Sequence, residues 1–186
     1  MTAKITTHPT AIPDVVRLQP RVFEDERGFF LESWNEQDFV STGIDAEFVQ
    51  DNHSQSSQGT LRGLHYQLTR PQGKLVRVVS GRVFDVAVDL RQSSPSFGKW
   101  VGVWLSDLEK NMLWIPPGFA HGFYVASPVA DLLYKCTDLY TPGDDRTVRW
   151  DDTQIGIEWP IDSGQAPLLS PKDAEAISFA SAEYYP

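Results

Sequence analysis

The 186-residue chain lacks the sequence features that are typical of disulfide-bonded secreted proteins and of membrane-anchored proteins. Its single cysteine, Cys136, excludes an intramolecular disulfide, and residues 1–13 lack the continuous apolar stretch of a signal peptide. No apolar run approaches the ~20 residues that a membrane-spanning helix needs. The sequence therefore predicts a cytoplasmic protein with no membrane partner.

Positive charge is also scarce. The chain has 16 Lys and Arg against 25 Asp and Glu, which gives a formal net charge of -9. A broad electrostatic attraction to nucleic acid or to an anionic membrane needs a basic face. We therefore expect no nucleic-acid partner, while a local basic pocket for a small anion stays compatible with this charge.

Helical patterns are few, because short segments rich in Val, Phe, Trp and Tyr alternate with Gly, Pro, Ser, Asp and Asn from residue 22 to residue 140. This pattern predicts an all-β sandwich or barrel. The length suits one domain over residues 1–186, with a tail that wraps the same core. Short helices are expected at residues 35–42, with Asn35 as the cap and Gly43 at the end, and near residues 171–177.

Strand geometry gives more specific expectations for the middle of the chain. Alternation over residues 83–90 puts Phe84, Val86, Val88 and Leu90 on one face and Asp85, Ala87 and Asp89 on the other. The first face is predicted to lie in the core, and the second face is predicted to be mixed, with both polar and apolar side chains. The pair Ser80-Gly81 predicts a hairpin turn that joins residues 75–79 to residues 82–91.

Polar and cationic side chains crowd three stretches of the predicted sheet. The first comprises residues 50–54, 61–67 and 72–76. Strict alternation would place its Arg62 and His65 on opposite strand faces, so a shared site requires a bulge, for which Gly63 is the natural place. A lone strand histidine is more often structural than catalytic, so the other two stretches matter.

The second stretch, residues 114–123, is a loop rich in Pro and Gly that carries His121 among aromatic side chains. In the third, Tyr134, Asp138 and Tyr140 share parity and hence a strand face. Without further information, the loop could equally be a rigid turn that closes a barrel, and Tyr134 and Tyr140 could equally be ordinary core residues.

Together with residues 23–32 and 167–173, these stretches resemble the dTDP-4-dehydrorhamnose 3,5-epimerase family, in the same order from about Arg21 to Asp173. The resemblance implies a small jelly-roll barrel of the cupin type with a few short helices, usually a homodimer, whose lumen holds a dTDP-4-keto-6-deoxyhexose. It further implies epimerisation at C3 and C5 of dTDP-4-dehydro-6-deoxy-D-glucose to dTDP-4-dehydro-L-rhamnose, with no metal and no cofactor.

The resemblance also implies roles for individual residues. His65 is similar to the general base, Asp173 to the carboxylate that orients it, Tyr134 to the acid, and Lys74 to the lysine that faces the developing enolate oxygen. The positions that match binding of the diphosphate, sugar or nucleotide are Arg27, Glu32, Gln50, Asp51, Asn52, Arg62 and His121, with Tyr140 in the place of an aromatic that stacks on thymine. Asp145 and Lys172 match further binding positions, and Asp145 stands where the family favours glutamate.

Chemistry next to a ketone needs these residue types. C3 and C5 of a 4-keto sugar lose protons only because the carbanion delocalises onto the ketone oxygen, and a Lys ammonium stabilises that oxygen. A base that is neutral near pH 7 must take the proton, and a His with a pKa of ~6.5 qualifies. Inversion needs a second group on the opposite face of the ring, and a Tyr that stays protonated can supply it.

Three other interpretations share parts of this pattern. A metal-dependent cupin oxygenase would hold iron through two His and a carboxylate, but none of the four histidines forms a His-x-His pair. A sugar-binding module without activity would not need His65, Lys74, Tyr134 and Asp173 together. A relative that inverts only C3 or only C5 would use the same base and acid, so the sequence leaves that alternative open.

Overall fold

The computed structural model describes residues 4–186, and antiparallel strands dominate that range. The strands are β1 (Ile5–Pro9), β2 (Val16–Pro20), β3 (Val22–Asp25), β4 (Gly28–Leu31), β5 (Gln50–Ser57), β6 (Leu61–Gln67), β7 (Lys74–Ser80), β8 (Arg82–Asp89), β9 (Trp100–Ser106), β10 (Met112–Ile115), β11 (Phe119–Val125), β12 (Val129–Cys136) and β13 (Asp145–Thr147). The helices are α1 (Glu36–Val40) and α2 (Pro171–Ala174), with 3-10 turns at Pro142–Asp144 and Phe179–Ser181. The first three residues of the predicted 1–186 domain lie outside the described range. Within that range, every helix is too short or too polar to cross a membrane.

Two antiparallel sheets face each other. One has the strand order β1-β2-β10-β7-β12-β5 and the other the order β13-β6-β11-β8-β9. Buried side chains from both sheets pack between them, among them Val76 and Leu132 from the first sheet and Val83 and Phe123 from the second. Antiparallel sheets whose strands cross from one to the other in this way form a jelly roll. The prediction of an all-β jelly-roll barrel with a few short helices is therefore confirmed.

Both predicted helices are present. The Asn35 side chain accepts a hydrogen bond from the backbone N–H of Gln37 at 3.1 Å, which caps α1. Gly43 follows with a φ of +88°, a conformation that favours glycine, so the chain leaves the helix there. Phe39 anchors the helix because its ring is buried against Trp34, with 4.5 Å between ring centroids. The Ser170 side chain caps α2.

The predicted hairpin between residues 75–79 and 82–91 is wrong. β7 pairs with β10 and β12 in one sheet, whereas β8 pairs with β9 and β11 in the other. Gly81 has a φ of +81°, and a Cβ added there would lie 2.1 Å from the carbonyl oxygen of Val129. The turn therefore uses glycine to pass the chain from one sheet to the other, and its local chemistry does not distinguish this crossover from a hairpin.

The alternation predicted over residues 83–90 is confirmed, but both faces of β8 are buried. Val83 and Ala87 point into the core between the sheets. The opposite face, with Phe84, Val86, Val88 and Leu90, packs against the carboxyl-terminal segment, including Trp159, Phe179, Tyr184 and Tyr185. Isolated bridges join Arg91 to Tyr185 and Val148 to Ile177. The segment after Trp159 thus covers the face that the sequence predicted as core, whereas the face predicted as mixed points between the two sheets.

Candidate active site

A cavity of about 300 Å³ opens between the ends of the two sheets. It is lined by Gln50, Asn52, His65, Tyr66, Gln67, Gln72, Lys74, Tyr134, Tyr140 and Asp145. β5, β7 and β12 supply part of this lining from one sheet, and β6 and β13 supply another part from the facing sheet. The structure therefore brings together seven of the residues that the sequence singled out, namely Gln50, Asn52, His65, Lys74, Tyr134, Tyr140 and Asp145.

His65 forms a close pair with a buried carboxylate. Its Nε2 lies 2.6 Å from Oδ1 of Asp173, which α2 places beside β6. Burial lowers the pKa of His65, and the hydrogen bond and negative charge of Asp173 oppose this effect without reversing it. Because the carboxylate holds Nε2–H, the lone pair of the ring is on Nδ1. The imidazole is therefore neutral near pH 7, with a fixed tautomer.

The strand that carries His65 contains the bulge that the sequence required. In the pairing of β6 with β11, His65 is opposite His121 and Arg62 is opposite Phe123, so β6 has one extra residue between the two pairs. Gly63 provides it, with a φ of +110° and a Cβ position only 2.5 Å from the His121 carbonyl oxygen. The bulge removes the strict alternation that would separate Arg62 from His65.

Lys74 brings a buried ammonium group to the cavity wall. Its side chain is 8% exposed, and among the described residues it has neither a hydrogen bond nor an ion pair. Burial lowers the pKa of Lys74, whereas the nearby Cys136, Asp145 and Asp85 raise it. Its N–H donors are therefore unused by the protein and available to an oxygen in the cavity.

Tyr134 lines the cavity from the sheet opposite His65. It lies on β12, directly across from Val76 on β7 and Asn52 on β5. Burial raises the pKa of Tyr134, and the charge of Arg62 opposes this only in part. The phenol is therefore protonated at neutral pH and can act as a proton donor.

The sequence of the chain matches a known enzyme family over most of its length. The family model described as dTDP-4-dehydrorhamnose 3,5-epimerase matches residues 9–181. The chain belongs to that family. An epimerase of this name from Pseudomonas aeruginosa is 54% identical over 177 residues, which is 95% of this chain and 97% of the relative. One from Shigella flexneri is 56% identical over 178 residues, with 95% and 97% covered.

A solved structure of a relative has the same fold. The dTDP-6-deoxy-D-glucose-3,5-epimerase from Legionella pneumophila, in complex with dTDP-4-keto-L-rhamnose, superposes with a TM-score of 0.93 at 49% identity. The match covers 96% of this chain and 95% of the Legionella chain. The protein is therefore an isomerase, and the cavity between its sheets is the candidate active site of the enzyme.

His121 belongs to a second histidine–carboxylate pair in the enzyme. Its Nε2 lies 2.9 and 3.0 Å from the two carboxylate oxygens of Asp85, and both residues are buried. His121 is the direct cross-strand partner of His65, but it does not line the cavity of about 300 Å³. The structure thus places His121 next to the candidate base, in contact with a carboxylate that the sequence did not connect to it.

Tyr140, Asp145 and Lys172 form a chain of contacts at the cavity mouth. The Tyr140 hydroxyl donates to Oδ2 of Asp145 at 3.0 Å, and Lys172 forms an ion pair with the same oxygen. The backbone N–H of Tyr140 donates to Oε1 of Gln50 at 2.9 Å, which holds the ring over the site. These predicted binding residues therefore contact one another directly.

Tyr140 reaches the cavity for a different reason from the predicted one. β12 ends at Cys136, so the alternation that linked Tyr134 to Asp138 and Tyr140 does not extend to the last two residues. Asp138 pairs with Arg70 and does not line the cavity. The prediction of one shared strand face for the three side chains is wrong, although both tyrosines face the same cavity.

The remaining predicted binding residues lie apart from the cavity in the single chain. Asp51 is on the outer face of β5, in an ion pair with Lys135 at 2.9 Å. Arg62 donates to Oγ of Ser56 at 3.0 Å. The positive charge of Arg62 lowers the pKa of Tyr134 and so opposes the effect of burial. Arg27 pairs with Asp25 on the β3–β4 hairpin, and Glu32 pairs with Lys4 at 2.9 Å. No group of three or more His, Cys, Asp or Glu that could hold a metal ion is found in residues 4–186.

Sequence reasoning missed several residues at the site. Asp85 was assigned only to the mixed face of a strand, and Ser170 was included in the stretch of residues 167–173 without a role of its own. Gln67 and Gln72 line the cavity and also brace the chain, since Gln67 accepts from the Thr141 N–H at 2.6 Å and Gln72 donates to the Asp138 carbonyl at 2.8 Å. The one available signal was the negative charge of Asp85 on the face of residues 83–90 that the alternation left as mixed.

Proposed function

We propose that the protein epimerises C3 and C5 of dTDP-4-dehydro-6-deoxy-D-glucose, which yields dTDP-4-dehydro-L-rhamnose. The observation that carries the proposal is one cavity lined by His65 of the His65–Asp173 pair from one sheet and by Tyr134 and Lys74 from the facing sheet. Inversion at carbon requires proton removal on one face of the sugar ring and proton delivery on the other. Two facing sheets supply that arrangement.

His65 is the proposed base. The proton at C3 or C5 passes to Nδ1, the ring nitrogen that Asp173 does not hold, and the C–H electron pair moves onto the C4 ketone oxygen. Asp173 stabilises the imidazolium that forms, because its carboxylate accepts the Nε2–H bond. The lowered pKa of His65 keeps the ring in its basic form at neutral pH.

Lys74 is the proposed electrophilic group and Tyr134 the proposed acid. The Lys74 ammonium donates to the enolate oxygen, where negative charge develops in an environment with little water. The enolate then takes a proton at carbon from the Tyr134 hydroxyl on the opposite face, which inverts the centre. Because burial raises its pKa, Tyr134 keeps its proton until the enolate needs it.

The polar end of the cavity is the proposed nucleotide site. Tyr140 offers a half-exposed ring for stacking on thymine, and Asn52 and Gln50 offer amide groups nearby. Lys172 lies beside Asp145 of the cavity lining, and we propose that Lys172, His121 opposite His65 and Arg62 on β6 supply donors for the diphosphate and sugar. Guanidinium and ammonium groups of this kind concentrate positive potential locally in an acidic protein.

The β3–β4 hairpin supports a homodimer as the functional unit. Phe29 and Phe30 are 60% and 64% exposed on it, and apolar rings presented in this way mark an interaction surface. The hairpin also carries Arg27, whose side chain is 89% exposed. We propose that the hairpin docks on a second copy of the chain and delivers Arg27 and Glu32 to the partner's cavity.

Mixed dimers test this arrangement. Neither Arg27→Ala nor His65→Asn is expected to be active alone. If Arg27 acts across the interface, a mixed dimer of the two variants has one complete site, and mixing restores up to half of the activity per dimer. The proposal would be contradicted if light scattering gave the mass of a monomer for the wild type, or if mixing the two variants restored no activity.

Proton NMR tests the reaction itself. Incubation of dTDP-4-dehydro-6-deoxy-D-glucose with the enzyme in deuterium oxide should remove the signals at both C3 and C5. Loss of one signal alone would identify a single-site epimerase, and exchange at neither carbon would overturn the proposed activity.

We also infer that residues 1–186 work as one epimerase domain in the cytoplasm. The carboxyl-terminal segment packs on the same sheets that form the cavity, and it supplies Asp173. Cys136, the single cysteine, is buried, and free buried thiols are usual in reducing compartments. Cell fractionation with an antibody against the chain checks the location, since recovery in a membrane or secreted fraction contradicts it.

A further inference from the structure

Ser170 forms a reciprocal pair with the carboxylate that orients His65. Its hydroxyl donates to Oδ2 of Asp173 at 2.7 Å, while the backbone N–H of Asp173 donates to the same hydroxyl oxygen at 3.1 Å. The other carboxylate oxygen, Oδ1, accepts from Nε2 of His65 and from the backbone N–H of Gly63. The two oxygens of Asp173 therefore have different partners, and Ser170 binds Oδ2, the oxygen that does not contact His65.

Because Asp173 is buried, losing its hydrogen bond with Ser170 would be costly. The residue is 3% exposed, and burial alone would raise its pKa. The hydrogen bonds from His65, Ser170 and Gly63 outweigh that effect and hold the pKa of Asp173 below its ordinary value. Among the described residues, Ser170 is the one side-chain donor to Oδ2. Its loss would leave a buried carboxylate oxygen without a partner and free the carboxyl group to rotate.

We propose that Ser170 is a positioning residue of the epimerase, which fixes the rotation of the Asp173 carboxylate and through it the tautomer of His65. This inference rests on the proposed function, because it assigns His65 as the base. Ser170 does not line the cavity and touches no reacting atom. It acts by keeping Oδ1 aimed at Nε2 in a carboxylate that stays ionised, so that the lone pair remains on Nδ1.

A purely structural role as the cap of α2 makes different predictions. Ser and Thr are good N-cap residues, Ala is poor, and Gly costs only a few tenths of a kcal/mol relative to Ser. If Ser170 acts only as the cap, Ser170→Ala should lose activity and Ser170→Gly should keep most of it. If the hydroxyl donor matters, both variants should lose activity. Ser170→Thr keeps both the cap and the donor.

The experiment measures C3 deuterium exchange and kcat/KM for the wild type and for Ser170→Ala, Ser170→Gly and Ser170→Thr. Ser178→Ala is the matched control, since Ser178 precedes the short turn Phe179–Ser181 and its hydroxyl bonds Ser181 instead of the site. Loss of a hydrogen bond to a charged group corresponds to about a ten- to a hundredfold effect. We expect that loss in kcat for Ala and Gly alike, with near wild-type activity for Thr and for the control.

Asp173→Asn completes the test. If Ser170 acts through Asp173, Ser170→Gly should cost little further activity in the Asp173→Asn background, because groups that act as a unit are not additive. An undiminished loss in that background, or full activity of both the Ala and Gly variants, overturns the proposal.

A readout that does not need turnover separates this inference from the proposed function. Nitrogen-15 NMR of the His65 ring at pH 7 should show the Nε2–H tautomer in the wild type and a mixture in Ser170→Gly. An unchanged tautomer refutes the role of Ser170 even if the enzyme is active. Absence of exchange in the wild type, with the tautomer shifted as expected, refutes the proposed reaction and leaves the positioning role standing.

Discussion

At the scale of single residues, the site depends on opposing effects on one imidazole. Burial removes water from His65 and favours its neutral form, while Asp173 favours the charged form. The net pKa is below the ordinary histidine value. If His65 is the base, as we propose, its ring is unprotonated at neutral pH, and the carboxylate stabilises the imidazolium that forms when the ring takes a proton.

The pH dependence of kcat/KM follows from this balance. A lowered pKa means that His65 stays neutral to lower pH than a free histidine, whose pKa is ~6.5. We expect kcat/KM, which reports the free enzyme, to stay level from pH 8 to below pH ~6.5 and to fall only at more acidic pH. An acidic limb centred above 6.5 would contradict the assignment. Asp173→Asn should move the limb further to acid, since it removes the group that opposes burial.

Lys74 gives a second prediction at the same scale. Lys74→Met keeps much of the buried volume but removes the ammonium that we propose faces the enolate oxygen. Loss of one preorganised donor of this kind costs ~10² to 10³ in kcat, with a smaller effect on KM because the ketone is uncharged before reaction. Steady-state kinetics checks this, with Lys99→Met, an exposed lysine, as the control. Equal losses in both variants would remove Lys74 from the mechanism.

At the scale of elements, the bulge in β6 sets the direction of His65. Gly63→Ala would place a Cβ 2.5 Å from the His121 carbonyl oxygen and force a φ of +110° on a residue that rarely adopts it. We expect a lower melting temperature and at least a hundredfold loss of activity, because even a small displacement of the base disrupts proton transfer. Gly143→Ala is the control, since its Cβ position is open. Wild-type activity in Gly63→Ala would show that the bulge is dispensable.

Strand patterns in the sequence predicted some of these elements and not others. The alternation of residues 83–90 was readable because parity is local. The change of sheet at Gly81 was not, because a tight turn with glycine looks the same in a hairpin and in a crossover. The contact of Asp85 with His121 depends on the register between β8 and β11, which no local pattern encodes. The resemblance to a family, and not the spacing, linked His65 to Asp173.

At the scale of the whole molecule, the carboxyl-terminal segment is part of the fold and of the site. Phe179 packs against Phe97 and Tyr184, with 5.5 and 5.1 Å between ring centroids. Its side chain helps to cover the outer face of the sheet that carries β8 and β11. The same segment holds α2 and Asp173, so its docking and the assembly of the dyad are linked.

Phe179→Ala tests the contribution of this packing to stability. Large-to-small changes in a fully buried core cost ~3 to 5 kcal/mol, and Phe179 is only partly buried, so we expect about 2 kcal/mol from denaturant titration. Leu168→Ala, also in the tail but 58% exposed, should change stability by less than about 0.5 kcal/mol. Equal effects of the two changes would show that the tail is held by its backbone bridges alone.

The order of the dyad along the chain has a consequence for protein synthesis. Asp173 follows His65 by 108 residues and lies on α2, after β13 in the chain. While the ribosome is still making the barrel strands, the imidazole has no carboxylate partner. The contact between His65 and Asp173 can therefore form only after the segment with α2 has been synthesised and has docked beside β6, which makes it a late contact in the assembly of the fold.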